Sequence, residues 1–500
     1  MIPPVRLSPA RTTRPGGGRG RFLPYVLGTG VQALSVAAAV FTVYALIDRQ
    51  PLLGFLAVVV VGVPLGWWLR SAGSADAEPS RREALAAVML SWVVLPALGA
   101  LPYALGHHMS LVDAAFESVS GFTTTGATTI TDFSAMAPSL MLWRALTQWV
   151  GGVGILVLFL AVFPQLAIAG RQLFNAEVPS PQEERLTPKL RQTAMAVVGL
   201  YTALTLVCSV AYYFTGMGPF DAVAHALGTL AAGGFSPNAE SFIGYGAAAQ
   251  WVAVIFMFLS GTSFFLVYGT LTGRKRSMLR DAEFRVYLAI QLASGALLGV
   301  LLLGEDLAPL DAIRHGLFQA TSMVVTAGFA SLDYRTWSTP AQAVLLALMF
   351  VGGSAGSASG GVKVLRWLMI AKITGREVRR ALHPRAVMPI RIGGRIIPED
   401  ALRAVAAFLT LYVGLFAFTA VVLVFLGADF TAAFSTAIAT LGNTGPGLNG
   451  FAPIGELSDL PAIGKLVLMF VMCAGRLEVV TVFVIFTPGW WQLPRRRRKV

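Results

Sequence analysis

The sequence predicts an all-α polytopic membrane protein: two additional transmembrane helices, then four pseudo-symmetric units, each a span, a re-entrant loop and a second span. Three observations predict it. The chain of 500 residues is 55% hydrophobic and 13% charged, about half the charge of a soluble domain, so a water-soluble surface cannot be assembled from it. Uncharged runs of about 20 residues, the length that crosses roughly 30 Å of hydrocarbon as a helix, recur from end to end. Among them a glycine-centred motif returns four times, each time behind an apolar stretch too short to span.

In chain order, a basic tail at 1–23 holds Arg6, Arg11, Arg14, Arg19 and Arg21, and spans at 24–47 and 51–69 make up the introductory unit 24–84. The first span is too long for a signal-peptide core and lacks an A-x-A-like site, so it is read as retained. Spans at 85–105 and 138–163 bound the first repeat (85–190), and spans at 192–215 and 247–272 bound the second (191–283). The third repeat (284–400) takes spans at 286–304 and 339–371, and the fourth (401–488) takes 402–427 and 463–487. A basic tail at 489–500 ends in Arg495 to Arg498 and Lys499. Apolar stretches at 111–122, 219–232, 309–325 and 430–442 run into Gly- and Thr-rich segments. Irregular backbone at membrane depth is tolerated only where it is buried in protein or lines a watery cavity, so these four are read as re-entrant.

Charge fixes the orientation. Lys and Arg gather in the tails, at 70–84, at 164–191 (Arg171, Arg185, Lys189, Arg191), after 272 (Arg274, Lys275, Arg276, Arg280, Arg285) and after 371 (Lys372 through Arg395). The segments 106–137, 216–246 and 428–461 hold none. By the positive-inside rule both termini are cytoplasmic and the re-entrant segments enter from outside. The outer loops carry Asp113, Glu117, Asp132, Asp221, Glu240, Glu305, Asp306, Asp311, Asp333, Asp429, Glu456 and Asp459, an acidic mouth that would concentrate cations. The net charge of +13 therefore belongs to membrane topology, and nucleic acid is not expected as a partner. Cys208 and Cys473 both fall within spans, as small apolar residues and not as a disulfide or metal framework.

The four motifs align. Asp113 and Asp221 each precede a central glycine, Gly126 and Gly234, by the same offset, and Phe116 and Phe318 likewise precede Gly126 and Gly328. The fourth, from Phe434 to Gly445, is one residue longer. A dehydrated cation needs oxygen ligands in place of its water shell, and potassium channels supply them as backbone carbonyls from four loops. A glycine free to take positive φ lets an extended stretch turn its carbonyls toward one axis, so here one chain supplies all four loops.

Ser120-Gly-Phe-Thr-Thr-Thr-Gly126, Leu146-Thr-Gln-Trp-Val-Gly-Gly-Val-Gly-Ile155, the Gly/Ser-rich stretch from Gly352 to Lys363, Asn443-Thr-Gly-Pro-Gly447 and Gly475-Arg-Leu-Glu478 together resemble the TrkH/KtrB/HKT superfamily of potassium-translocating proteins over nearly the whole chain. The two extra spans resemble its TrkH-like branch. The resemblance implies a channel-like potassium uptake protein of the cell (inner) membrane, a homodimer with one pore per protomer in contact with membrane lipid. It also implies a cytoplasmic nucleotide-binding (ATP/NAD) regulatory subunit. It implies ion-binding carbonyls at Thr124, Thr125, Ala232, Gly233, Thr326, Ala327, Asn443 and Thr444 around filter glycines Gly126, Gly234, Gly328 and Gly445, with potassium as substrate and no cofactor bound by the chain. The second copy departs from the family pattern, with Ala231-Ala232 where Ser or Thr is common.

Below the filter, Gly352, Gly353, Gly356, Gly360 and Gly361 interrupt the 339–371 span with a composition that disfavours rigid helix. The resemblance makes this stretch a gating loop, the alternative being a small-residue packing face. Arg476, mid-span in 463–487, is by the resemblance an electrostatic barrier in the pore, or else a structural partner of Glu478. Lys363 either anchors the loop or snorkels toward the cytoplasm. Arg144 and Gln148 either brace the first loop or meet the ion. A secondary transporter coupled to protons or sodium would place carboxylates or histidines within its spans, where Glu478 stands almost alone. The nucleophile, metal and nucleotide motifs of an enzyme are missing from the sequence.

Overall fold

The computed structural model describes residues 21–74, 77, 79–161, 187–273, 278–305, 307–448 and 457–491. Most of both basic tails, the 164–186 part of the second basic loop, Arg274, Lys275, Arg276, Asp306 and Glu456 lie outside the described residues.

Helices α1 (Phe22–Ile47) and α2 (Leu53–Ser71) form the introductory pair. They pack on the first repeat through Phe41 and Phe55, whose rings stand 5.3 and 5.6 Å from that of the buried Trp143. Repeat one runs α3 (Arg81–Gly99), α4 (Leu101–Gly106), the re-entrant α5 (Leu111–Phe122) and α6 (Pro138–Ala161). Repeat two runs α7 (Thr187–Phe214), re-entrant α8 (Pro219–Ala231), α9 (Ala247–Ser260) and α10 (Phe264–Leu271). Repeat three runs α11 (Ala282–Leu303), re-entrant α12 (Pro309–Val324), α13 (Thr339–Leu348) and α14 (Val364–Leu382). A hairpin, β1 (Arg391–Ile392) with β2 (Arg395–Ile396), leads to repeat four. That repeat comprises α15 (Glu399–Phe425), re-entrant α16 (Phe430–Leu441), α17 (Ala462–Arg476) and α18 (Val479–Phe483), with α19 (Pro488–Trp491) last.

Among the described residues seven helices are long and apolar enough to cross a membrane, or nine if each of two bent pairs is one span. The polarity runs inside out. Val36, Val40, Leu206, Val210, Leu292 and Val421 are exposed on the outer helices, while Ser118, Ser120, Thr147, Gln148, Thr321, Ser322 and Thr440 are buried, as expected where lipid is the solvent. Each re-entrant helix starts with a local signal: Ser110 accepts from Asp113 N at 3.1 Å, Asp429 from Thr431 N at 3.1 Å, and proline opens α8 and α12, positions where a missing N–H costs nothing.

Three expected spans are not continuous helices. The 247–272 span breaks between Ser260 and Phe264 with a 95° bend, and the 463–487 span breaks at Leu477–Glu478 with a 114° bend. Hydropathy averages across such breaks, whereas the backbone does not: Gly475 lies against the Leu441 carbonyl, and Glu478 takes φ +67°. Arg476 is consequently the last residue of α17 and not mid-span. The 339–371 span gives only ten residues of helix before its glycine-rich loop, and α14 then continues to Leu382 into the basic segment.

Candidate functional site

The four re-entrant helices end in one backbone motif. Thr124, Ala232, Thr326 and Asn443 take left-handed φ of +53°, +51°, +61° and +55°. Their N–H groups donate to Gly121, Thr229, Met323 and Thr440, and the next residues, Thr125, Gly233, Ala327 and Thr444, donate to Ser120, Gly228, Ser322 and Ala439. These paired bonds are a Schellman cap. A left-handed non-glycine residue costs roughly 1–2 kcal/mol, so four at equivalent positions mark a conformation imposed by the surroundings. Two residues on, Gly126, Gly234, Gly328 and Gly445 take φ of +86°, +80°, +73° and +105°.

The loops then close on one another. A Cβ on Gly126 would stand 2.2 Å from the Gly233 oxygen, on Gly234 2.1 Å from Ala327 O, on Gly328 2.0 Å from Thr444 O, and on Gly445 2.7 Å from Thr125 O. Each central glycine thus abuts the carbonyl that precedes the next repeat's glycine, and the fourth returns to the first. The twelve residues expected at this place are gathered in a single ring. Thr124 Oγ1, Asn443 Oδ1 and Thr444 Oγ1 are buried there without hydrogen-bond partners among the described residues, and Asn443 Nδ2 donates to Thr125 Oγ1 at 3.0 Å. A cavity of about 40 Å³, lined by Gly126, Gly234, Gly328, Pro446 and Arg144, opens on the face from which the helices enter.

Sequence reasoning missed the frame behind the ring. Nine residues before each central glycine, or equivalently on each re-entrant helix, stands a buried polar side chain: Glu117, His225, Gln319 and Thr436. Glu117 accepts from Thr129 N at 2.5 Å and pairs with Arg144 at 3.2 Å, His225 meets Ser236 Oγ at 3.1 Å, and Gln319 donates to Phe329 O at 3.1 Å. The available signal was a polar residue recurring at one offset within apolar stretches. Arg144 also lies over the Phe235 ring at 3.9 Å, and Gln148 donates to Gly233 O while accepting from Phe235 N at 3.0 Å. Both side chains brace loops. His225 and His315 are both buried in re-entrant helices.

The acidic mouth needs correction. Glu117 is fully buried, and Asp113, Asp311 and Asp333 are engaged by Lys465, Arg314 and Arg335. Hydrogen bonds from Ser134 hold the exposed Asp132 below its usual range, and hydrogen bonds from the side chain and backbone of Arg335 do the same for Asp333.

Beneath the ring on the opposite side lies the loop 349–363. Gly352, Gly356 and Gly361 take positive φ, and a Cβ on Gly360 would stand 2.2 Å from Gly442 O. Gly360 N donates to Thr326 Oγ1 at 2.7 Å, Ser354 N to Gly261 O at 2.8 Å and Ala358 N to Ser260 O at 3.1 Å. Gly353 N donates to Ser359 Oγ at 3.1 Å. The break between α9 and α10 is therefore the loop's seat. Arg476 donates to Ala358 O at 2.9 Å and Gly151 O at 3.4 Å, and Lys363 to Ser359 O. Glu478 pairs with Arg366, not with Arg476. The buried Glu283, which sequence reasoning passed over, accepts from Ala355 N at 2.7 Å, so the half-buried Glu478 is not the lone carboxylate near this face.

Residues 50–491 match the TrkH family, described as cation transport proteins. The chain belongs to the TrkH family. Among its relatives, the "Trk system potassium uptake protein TrkH" of Salmonella typhimurium is 36% identical over 88% of this chain and 91% of its own. The TrkI protein of Halomonas elongata is 33% identical over 92% and 94%. The crystal structure of the potassium transporter TrkH from Vibrio parahaemolyticus superposes with a TM-score of 0.87 at 33% identity, over 94% of this chain and 99% of that one. This TrkH-family chain is thus a multi-pass membrane protein with the helical architecture of that transporter.

Proposed function

We propose that the protein takes up potassium across the cell's inner membrane through the ring, in a channel-like manner. The observation that carries this reading is closure of the ring by four copies from one chain, each glycine against the next copy's carbonyl. The carbonyls of Thr124, Thr125, Ala232, Gly233, Thr326, Ala327, Asn443 and Thr444 would replace the ion's hydration shell, and the unpartnered oxygens of Thr124, Asn443 and Thr444 are acceptors suited to a cation. All four re-entrant helices end at the ring, so their partial negative termini add favourable field there. Potassium is the transported substrate.

The loop carrying Gly352, Gly353, Gly356, Gly360, Gly361 and Lys363 is the gate, with Arg476 as a positive barrier beneath the ring. Opening it breaks the contacts to Thr326, Gly261, Ser260, Phe264, Glu283 and Arg476. At about 1 kcal/mol net per hydrogen bond that is on the order of 6 kcal/mol, close to what inverts a 1:99 equilibrium. Such a gate needs an external input. We assign it to a cytoplasmic nucleotide-binding regulatory subunit docking on the basic face of a homodimer whose termini are cytoplasmic. The units are 24–84, 85–190, 191–283, 284–400 and 401–488, between tails 1–23 and 489–500. The test is rubidium uptake into proteoliposomes by wild type and Gly126→Ser with sodium as competitor. Changed selectivity or flux is expected, and unaltered selectivity and flux would remove Gly126 from the filter.

A further inference from the structure

The basic face holds a cavity that the transport reading does not use. Its volume is about 590 Å³, and it lies between α11, α14 and the β1–β2 hairpin. One wall is Val286, Ala289, Ile290 and Ala293 of α11, a single helical face by spacing. The rim is Arg285, Lys372 and Arg391. The hairpin is fixed in place: Ile397 N donates to Ile390 O at 2.9 Å, and both side chains are buried with Met369 and Leu402. Its turn residues, Gly393 and Gly394, take φ of +56° and +82°, the geometry of a tight two-residue hairpin turn, and bring the tip beside Ala282. Among the described residues no ion pair engages Arg285, Lys372 or Arg391, whereas the neighbouring Arg376 is held by Glu377 and Glu399.

We propose that this cavity binds the phosphodiester headgroup of an acidic phospholipid, with an acyl chain against the α11 wall. Basic pockets between transmembrane helices recognise such headgroups, and three unneutralised cations match one. From the Arg285 rim the wall runs to Ala293, roughly 12 Å at 1.5 Å per residue, about two-fifths of a 30 Å hydrocarbon layer. A free phosphate would use only the rim, and a peptide at that depth would leave backbone groups unpaired. The amphiphile alone matches both ends.

The full-length protein is purified in micelles doped with phosphatidylglycerol or phosphatidylcholine, and bound lipid per protomer is counted by native mass spectrometry. Phosphatidylglycerol is expected to be retained selectively and not displaced by inorganic phosphate. Neutralising the rim with R285Q, K372Q and R391Q is expected to weaken retention about fivefold per cation removed. Ala293→Trp, which fills the wall and leaves the charges, is expected to lower retention of the lipid. Equal retention of both lipids, displacement by phosphate alone, or retention unchanged in both variants would overturn the proposal. So would loss of the dimer in Ala293→Trp with the lipid count unchanged, which would assign the face to a second copy of the chain. Uptake is not the readout, so the outcome is separate from that of the transport proposal.

Discussion

Replacing Gly328 by alanine tests the ring where it is tightest. The new Cβ would stand 2.0 Å from the Thr444 oxygen at φ +73°, so the contact between repeats three and four must open by about 1.4 Å to reach the 3.4 Å of ordinary van der Waals contact. Positive φ costs an L-residue roughly 1–2 kcal/mol, and forcing a methyl into a packed site costs about 1–3 kcal/mol. If that cost falls on the ion-competent ring, its population drops at least about thirtyfold, at tenfold per 1.4 kcal/mol. Gly126 and Gly234 face similar clashes at 2.2 and 2.1 Å, whereas Gly445, despite the largest φ, has 2.7 Å. Initial rubidium uptake by the four alanine variants in proteoliposomes, normalised to inserted protein, is therefore expected to be lowest for Gly328→Ala and highest for Gly445→Ala. Uptake by Gly328→Ala within twofold of wild type, or Gly445→Ala as the worst of the four, would refute the steric reasoning.

Arg144→Met leaves the buried Glu117 carboxylate unpaired and is expected to cost about 3–5 kcal/mol, read as a lowered melting temperature in detergent that adding Glu117→Gln partly restores. Gln148→Leu removes both hydrogen bonds to the second loop, and sodium is expected to compete more strongly for rubidium uptake while expression is kept. Arg476→Gln removes the donor to Ala358 and the positive charge under the ring, so basal uptake without a regulator is expected to rise several-fold. Burial, reinforced by His108, holds His107 below its ordinary 6.5. Below that pH the unfolded chain binds a proton that the folded chain resists, so stability present at neutral pH is lost on acidification. His107→Gln is expected to flatten that loss in melting curves between pH 7 and 5.

The spans and re-entrant segments were legible because lipid exposure writes itself as long uncharged runs, and the glycines because a turn inside protein demands them. The left-handed Thr124, Ala232, Thr326 and Asn443 were not legible, since the cap consists of backbone bonds within each helix's last turn and three of the four residues are not the glycine or asparagine that usually marks it. The breaks at Gly261–Ser263 and Leu477–Glu478 vanish in a hydropathy average, because the apolar residues on both sides are what the average counts. Charged residues read as loop markers misled in another way. Glu117 looks like part of an acidic mouth until Arg144, far along the chain, is folded against it, and the Arg366–Glu478 pair joins residues that no local pattern connects. Acid and base alternate along the sequence, but their pairing belongs to the fold.

The central claim is that the four loops form one cation site. Anomalous diffraction from crystals grown in rubidium locates the ion directly. The account predicts a peak on the ring axis level with the carbonyls of Thr125, Gly233, Ala327 and Thr444, and its loss in Gly328→Ala. Rubidium bound elsewhere with the ring empty, or a ring peak of equal height in that variant, would contradict it.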